Sequence, residues 1–89
     1  MERAEMERLV RTPLITVRDL RIMTRPLGIS SYRSHLIFEA MLKNYELYAK
    51  RNNYVVFPHS VPNAIAFDYL TQFGITKEKI LDDDYWKCG

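Results

Sequence analysis

The stretch that most constrains this chain is Ser30 to Arg51, SSYRSHLIFEAMLKNYELYAKR, the longest uninterrupted helical pattern in the sequence. Phe38, Met41, Leu42, Tyr45, Tyr48 and Ala49 recur at spacings of three and four, which gathers them on one side of an α-helix. Glu39, Lys43, Glu46 and Lys50 recur in the same way and form one polar strip. Leu36, Ala40 and Leu47 flank that strip, so the apolar arc is wider than a surface helix requires. The expectation is a central helix covered on most of its circumference, with the other elements packed around it.

The remaining segments are shorter. Residues 1–11 read as an amphipathic helix with Met6, Leu9 and Val10 on one side, which packs on the domain, frays, or is swapped into a dimer partner. Thr12-Pro13 ends it, because a residue before proline avoids helical angles. The β-prone Leu14 to Val17 follows, and Thr16 with Asp19 has the spacing of a capping box for a helix from Val17 to Thr24. Val17, Leu20 and Met23 face inward there, and Arg18, Arg21 and Arg25 share the outer side. After Asn52-Asn53, Tyr54 to Pro58 is the best strand sequence; it pairs with 14–17, forms one side of a hairpin, or is an extended buried connection. Ser60 is expected to cap a helix carrying Ile65, Ala66, Tyr69, Leu70 and Phe73, ended by Gly74. Thr76 caps a last helix from Lys77 to about Tyr85, whose C-terminal end holds Asp82 to Asp84, where the helix dipole disfavours anions.

PLGISSYRSHLI and QFGITKEKIL share the order apolar, Gly, Ile, Ser/Thr, helix, with glycines 46 residues apart. A left-handed glycine and a capping hydroxyl between two helices account for this, so it reads as a recurrent corner and not as a duplicated unit.

The 89 residues suffice for one domain, 1–89, with one core. No apolar run approaches the roughly 20 residues of a membrane span, and the charged N-terminus lacks the apolar segment of an export signal. The single cysteine, Cys88, leaves no internal disulfide and fits a reducing, cytoplasmic setting; it reads as an ordinary tail residue. The net charge is only +2, but residues 1–51 carry +4 and residues 52–89 carry −2. Between Arg8 and Arg33 six arginines, at 8, 11, 18, 21, 25 and 33, stand against Asp19 alone. Arginine's planar fork holds phosphate oxygens or guanine edges through two hydrogen bonds, which an ammonium cannot do. The same cluster also suits an acidic protein partner or a solvated face.

Leu20 to Ile37 places a helix, the turn glycine Gly28, the aliphatic Ile29, a capping serine at 30 or 31 and a second helix in sequence. In this it resembles the helix-turn-helix family. The resemblance implies that Ser31, Tyr32, Arg33 and His35 begin a recognition helix in the major groove, with Arg18, Arg21 and Arg25 near phosphates. Two positions depart from the family: Pro26 lies where it carries a helix former, so the first helix must end early, and Thr24 stands where alanine is usual. Thr16 to Leu42 is also similar to SAP-type and Rho N-terminal modules, which bind nucleic acid. Val17, Leu20, Gly28 and Leu36-Ile37 match those in type, without their lysine cluster and with a shorter middle segment.

Catalytic chemistry finds little support. His35 and His59 have no Cys or Asp at metal-ligand spacing, no nucleophile motif surrounds any serine, and three glycines make no phosphate loop. A divalent cation at Asp82 to Asp84 is outweighed by a fraying acidic helix end. Tyr32 and Trp86 are the aromatic residues left off the apolar faces and so suit an interface. The expected protein is therefore mainly α, a compact bundle of four to five short helices around a central helix at about 30–51, with one short extended segment near 54–57. Its expected function is non-enzymatic, without cofactor or metal: DNA binding or transcription regulation as a homodimer through Arg18, Arg21, Arg25, Ser31, Tyr32, Arg33 and His35. The competing expectation is a protein-interaction module, such as a small phage-type inhibitor, docking its arginine face on an acidic partner.

Overall fold

The computed structural model describes residues 1–87, so Cys88 lies outside the described residues. Its elements are α1 (Arg3–Arg11), β1 (Leu14–Thr16), α2 (Val17–Thr24), α3 (Ser31–Asn52), β2 (Ser60–Pro62), α4 (Asn63–Leu70), α5 (Lys77–Ile80) and α6 (Asp83–Lys87). Short 3-10 turns at Arg25–Leu27 and Thr71–Phe73 follow α2 and α4. The protein is mainly helical, with one two-stranded antiparallel ladder of β1 and β2. Among the described residues no helix is long and apolar enough to cross a membrane.

Helix α1 packs on the domain, with Met6 and Leu9 fully buried. Arg3 ties it to the distal end of the chain by donating to the Leu81 carbonyl at 2.9 Å. The capping box forms as its spacing predicts: Thr16 Oγ1 accepts from the Asp19 amide, and Asp19 Oδ2 accepts from the Thr16 amide, both at 3.2 Å. Leu20 and Met23 are buried below α2.

Three expectations are corrected, and the alternatives left open for residues 54–57 are decided. Helix α3 is the longest element and packs on α2, β2 and α4, yet only one stripe of it, Ser34, Phe38, Met41, Tyr45 and Ala49, is buried. Leu36, Leu47 and Tyr48 stay exposed, because eight- and nine-residue neighbours cannot wrap a helix of about 33 Å. Residues 54–57 form no strand and are mostly exposed; the chain first crosses back, with Tyr45 donating its hydroxyl to the Val55 carbonyl at 2.9 Å, and then pairs through Ser60–Pro62. Ser60 accordingly sits in β2, and the residue before α4 is Pro62. Helix α4 has no side-chain cap; the Asn63 side-chain amide instead donates to the Val10 and Thr12 carbonyls and fastens α4 to the α1–β1 link. The last helix divides at Leu81-Asp82. Asp82 Oδ1 accepts from the Asp84 amide at 3.0 Å, so the aspartates stand at the start of α6, where the dipole favours them, and not at the end of a longer helix.

The repetition extends well beyond the corner. A shift of 46 residues carries β1 onto β2, α2 onto α4, one 3-10 turn onto the other, Gly28 onto Gly74 and the capping Ser30 onto the capping Thr76, with no insertion. Both glycines are left-handed, at φ 73° and 78°. The ladder pairs Leu14 with Pro62, Ile15 with Val61 and Thr16 with Ser60. Its centre is therefore the equivalent pair Ile15 and Val61, and the two strands are related by a local two-fold axis passing between them. The protein is built from one strand–helix–corner unit used twice. The sequence hides this because equivalent core positions differ: Leu20 answers Ala66, and Thr24 answers Leu70. All four are fully buried, so bulk moves along the helix by one turn between halves.

Candidate nucleic-acid interface

Arginine placement on this frame begins with Asp19, which is buried and belongs to the capping box. Its charge is met from α1. Arg8 donates to Asp19 Oδ1 at 3.0 Å and to Glu5 Oε1 at 2.6 Å. These hydrogen bonds hold the Arg8 guanidinium above its ordinary range and the Glu5 carboxyl below its own. Arg8 therefore belongs to the fold, and the six-arginine cluster loses one member. Arg18, Arg21 and Arg25 are exposed along the outer side of α2 and its 3-10 extension. Among the described residues none of the three makes a side-chain hydrogen bond or an ion pair within 4 Å; Arg18 is felt only as a weak field on Glu5. Arg25 also borders a cleft of about 190 Å³ with Met1, Ile22, Pro26 and Trp86.

The corner that follows accommodates both departures from the helix-turn-helix pattern. Helix α2 stops at Thr24, and Pro26 is buried within the 3-10 turn, where a missing amide donor does no harm. Thr24 stands at the crossing of α2 and α3. Its hydroxyl bonds the Leu20 carbonyl at 2.9 Å and the Ser34 hydroxyl at 2.5 Å, in a fully buried contact. A small side chain is needed there for the helices to approach, and threonine supplies both the size and the bond.

Ser30 caps α3 by accepting from the Arg33 amide at 3.2 Å. Ser31, Tyr32, Arg33 and His35 are all exposed, Tyr32 at 71%. At about 100° per residue, Ser31 and His35 stack on one side, while Arg33 stands about 160° around the helix from His35. The four residues therefore do not share one flat face. His35 is further engaged, its Nε2 lying 3.0 Å from Glu39 Oε1. Tyr32 and Arg33 carry no such side-chain contact among the described residues.

The second half shows what this framework does with other side chains. A groove of about 430 Å³ runs between α4 and the start of α5, lined by Ala64, Phe67, Asp68, Thr71, Thr76, Lys77 and Glu78. Shifted by 46 residues, these are Arg18, Arg21, Ile22, Arg25, Ser30, Ser31 and Tyr32. Five of the predicted site residues thus fall, with Ile22 and Ser30, on positions that line a single concavity in the counterpart. Ile22 escaped the reading of the sequence, and Ser30 entered it only as a cap, because only the three-dimensional repeat relates them to the groove. In the second half Lys77 lies 5.6 Å over the Phe67 ring.

No family model, curated protein or solved structure matches this chain. Among the described residues no group of three or more His, Cys, Asp or Glu side chains is placed to hold a metal ion. His59 sits in the turn before β2 at φ 66°, a left-handed position.

Proposed function

We propose that the protein is a small, non-enzymatic nucleic-acid-binding protein of the transcription-regulating kind, acting in the cytoplasm through the outer face of α2 and the first turn of α3. The observation that carries this reading is the row Arg18, Arg21 and Arg25, three guanidinium groups without a partner among the described residues, on one face of a capped helix beside exposed Tyr32 and Arg33. The row spans about 10 Å along the helix. A single DNA strand presents about three phosphates over that length. Three like charges at this spacing repel one another, and a polyanion relieves the repulsion along the whole row. Arg33 stands apart and is suited to a guanine edge, with Tyr32 bonding a phosphate oxygen. Ser31 and His35 belong to the rim of this surface.

A salt titration tests the proposal directly. If the three arginines of the row contact phosphates, the affinity for a labelled duplex should fall about fortyfold between 50 and 200 mM salt. Fluorescence anisotropy with the unmodified chain and with Arg21→Glu combined with Arg33→Glu is the measurement. The double variant is expected to lose binding at low salt while keeping its helical circular dichroism. Absence of duplex and single-strand binding at low ionic strength would overturn the proposal in favour of an acidic protein partner.

A further inference from the structure

We infer that the flank between α3 and α4 is a homodimer interface, in which an aromatic shelf meets the same shelf of a second copy. Tyr48 and Tyr54 stack at a tilt with ring centroids 5.8 Å apart, and Tyr69 and Phe73 do so at 6.2 Å. Between the two pairs runs a groove of about 530 Å³ lined by Asn44, Tyr48, Ala64, Ile65, Asp68 and Tyr69. Tyr48, Tyr54, Val55 and Phe73 remain 48%, 55%, 71% and 38% exposed.

Three features select a second copy as the occupant. The first is area. At about 200 Å² per aromatic side chain, the exposed fractions of Tyr48, Tyr54 and Phe73 amount to roughly 280 Å² of largely apolar surface. A stable interface takes about 800 Å² from each partner, a little over half of it apolar, and these three rings supply more than half of that apolar share. The second is charge. Asp68 is the one charged residue lining the groove among the described residues, and Arg51 follows on α3, three residues beyond Tyr48 on the flank that carries Asn44. Both are exposed, and neither side chain makes a hydrogen bond or ion pair among the described residues. An isologous two-fold contact needs a patch that complements itself, residue i meeting j and j meeting i. One cation and one anion at the edges of an apolar shelf satisfy this, as Arg51 meets Asp68 of the second copy twice. The third is exclusion: the arginine face of α2 is of one sign and cannot pair with itself. The shelf lies on other elements, so this inference stands independently of nucleic-acid binding.

Sedimentation equilibrium of the full chain supplies the test. The unmodified protein should show a concentration-dependent dimer, and Tyr48→Lys should raise its dissociation constant at least tenfold with circular dichroism unchanged. Arg51→Asp and Asp68→Arg should each weaken the dimer, and the two together should restore it. That rescue decides the matter even if Tyr48→Lys disturbs folding, since both charged residues are exposed. A chain that is monomeric up to roughly millimolar concentration, a dimer indifferent to Tyr48→Lys, or a charge swap without rescue would overturn the inference.

Discussion

Replacing Leu20 with alanine is expected to lower the stability of the fold by about 2 to 5 kcal/mol, the range for removing a fully buried leucine side chain from a close-packed core. Leu20 has no solvent exposure and lies in the same core cluster as Phe38, Met41, Leu70 and Ile80. It stands one turn before Thr24 at the crossing of α2 and α3, where the Leu20 carbonyl is also the acceptor for the Thr24 hydroxyl. The cavity therefore opens beside a buried polar pair that cannot shift to fill it without breaking its bonds. For a domain of this size the melting temperature should fall by more than about 10 °C. The midpoint of denaturant unfolding should fall in step with an unchanged slope, since the surface exposed on unfolding hardly changes. The counterpart position already carries alanine at Ala66, also fully buried, with Leu70 one turn later. The first half has no leucine at its later position, so Leu20→Ala leaves it without the bulk that each half needs once. A loss below about 1 kcal/mol would mean that the neighbours close the space, contrary to this account.

Alkali is expected to unfold the protein through Tyr85. Its hydroxyl donates to the Met23 carbonyl at 2.5 Å across 62 residues of sequence, in a buried contact. Its ring stacks edge-on against Trp86 at 5.3 Å. Burial pushes the phenol up to about 12, against about 10 in an unfolded chain. The folded state thus favours the neutral phenol. The stabilisation is complete below about pH 10 and is lost as the pH climbs toward 12, where the phenolate must leave its site. Loss of helical circular dichroism should coincide with the ionisation of Tyr85, and Tyr85→Phe should remove that coincidence. At neutral pH the same variant should lose about 1 kcal/mol, the net worth of one hydrogen bond. Full ionisation of all six tyrosines in a protein that keeps its helices would contradict this assignment.

Much of the helical fold was legible because local chemistry announces it. The Thr16/Asp19 capping box, the left-handed Gly28 and Gly74, and the caps Ser30 and Thr76 each act within a few residues, so the sequence reports them faithfully. What escaped depends on partners distant in the chain. Residues 54–57 have the stronger strand composition, but the ladder forms at 60–62, because Asn63 is bonded to the α1–β1 link and brings the residues before it into register with β1. The covering of α3 was overestimated because periodicity reports how many apolar residues a helix has, and not how many neighbours are long enough to reach them. Of the site, the exposure of Arg18, Arg21 and Arg25 followed from spacing. The withdrawal of Arg8 into the fold did not, since it rests on a carboxylate eleven residues away.

The ladder between Ile15 and Val61 also bears on the order in which the chain comes together. Closing the Thr24–Ser34 corner joins residues ten apart, whereas the ladder joins strands 46 apart for the return of three residue pairs. Loop-closure entropy rises with the length enclosed, so a contact so distant and so small forms only after something else has drawn its ends together. The α2–α3 corner is expected to be that earlier event, a nucleus on which the second unit condenses. Substitutions at Thr24 should then slow folding, while Val61→Ala should chiefly speed unfolding, a division that stopped-flow kinetics reads as φ-values near 1 and near 0.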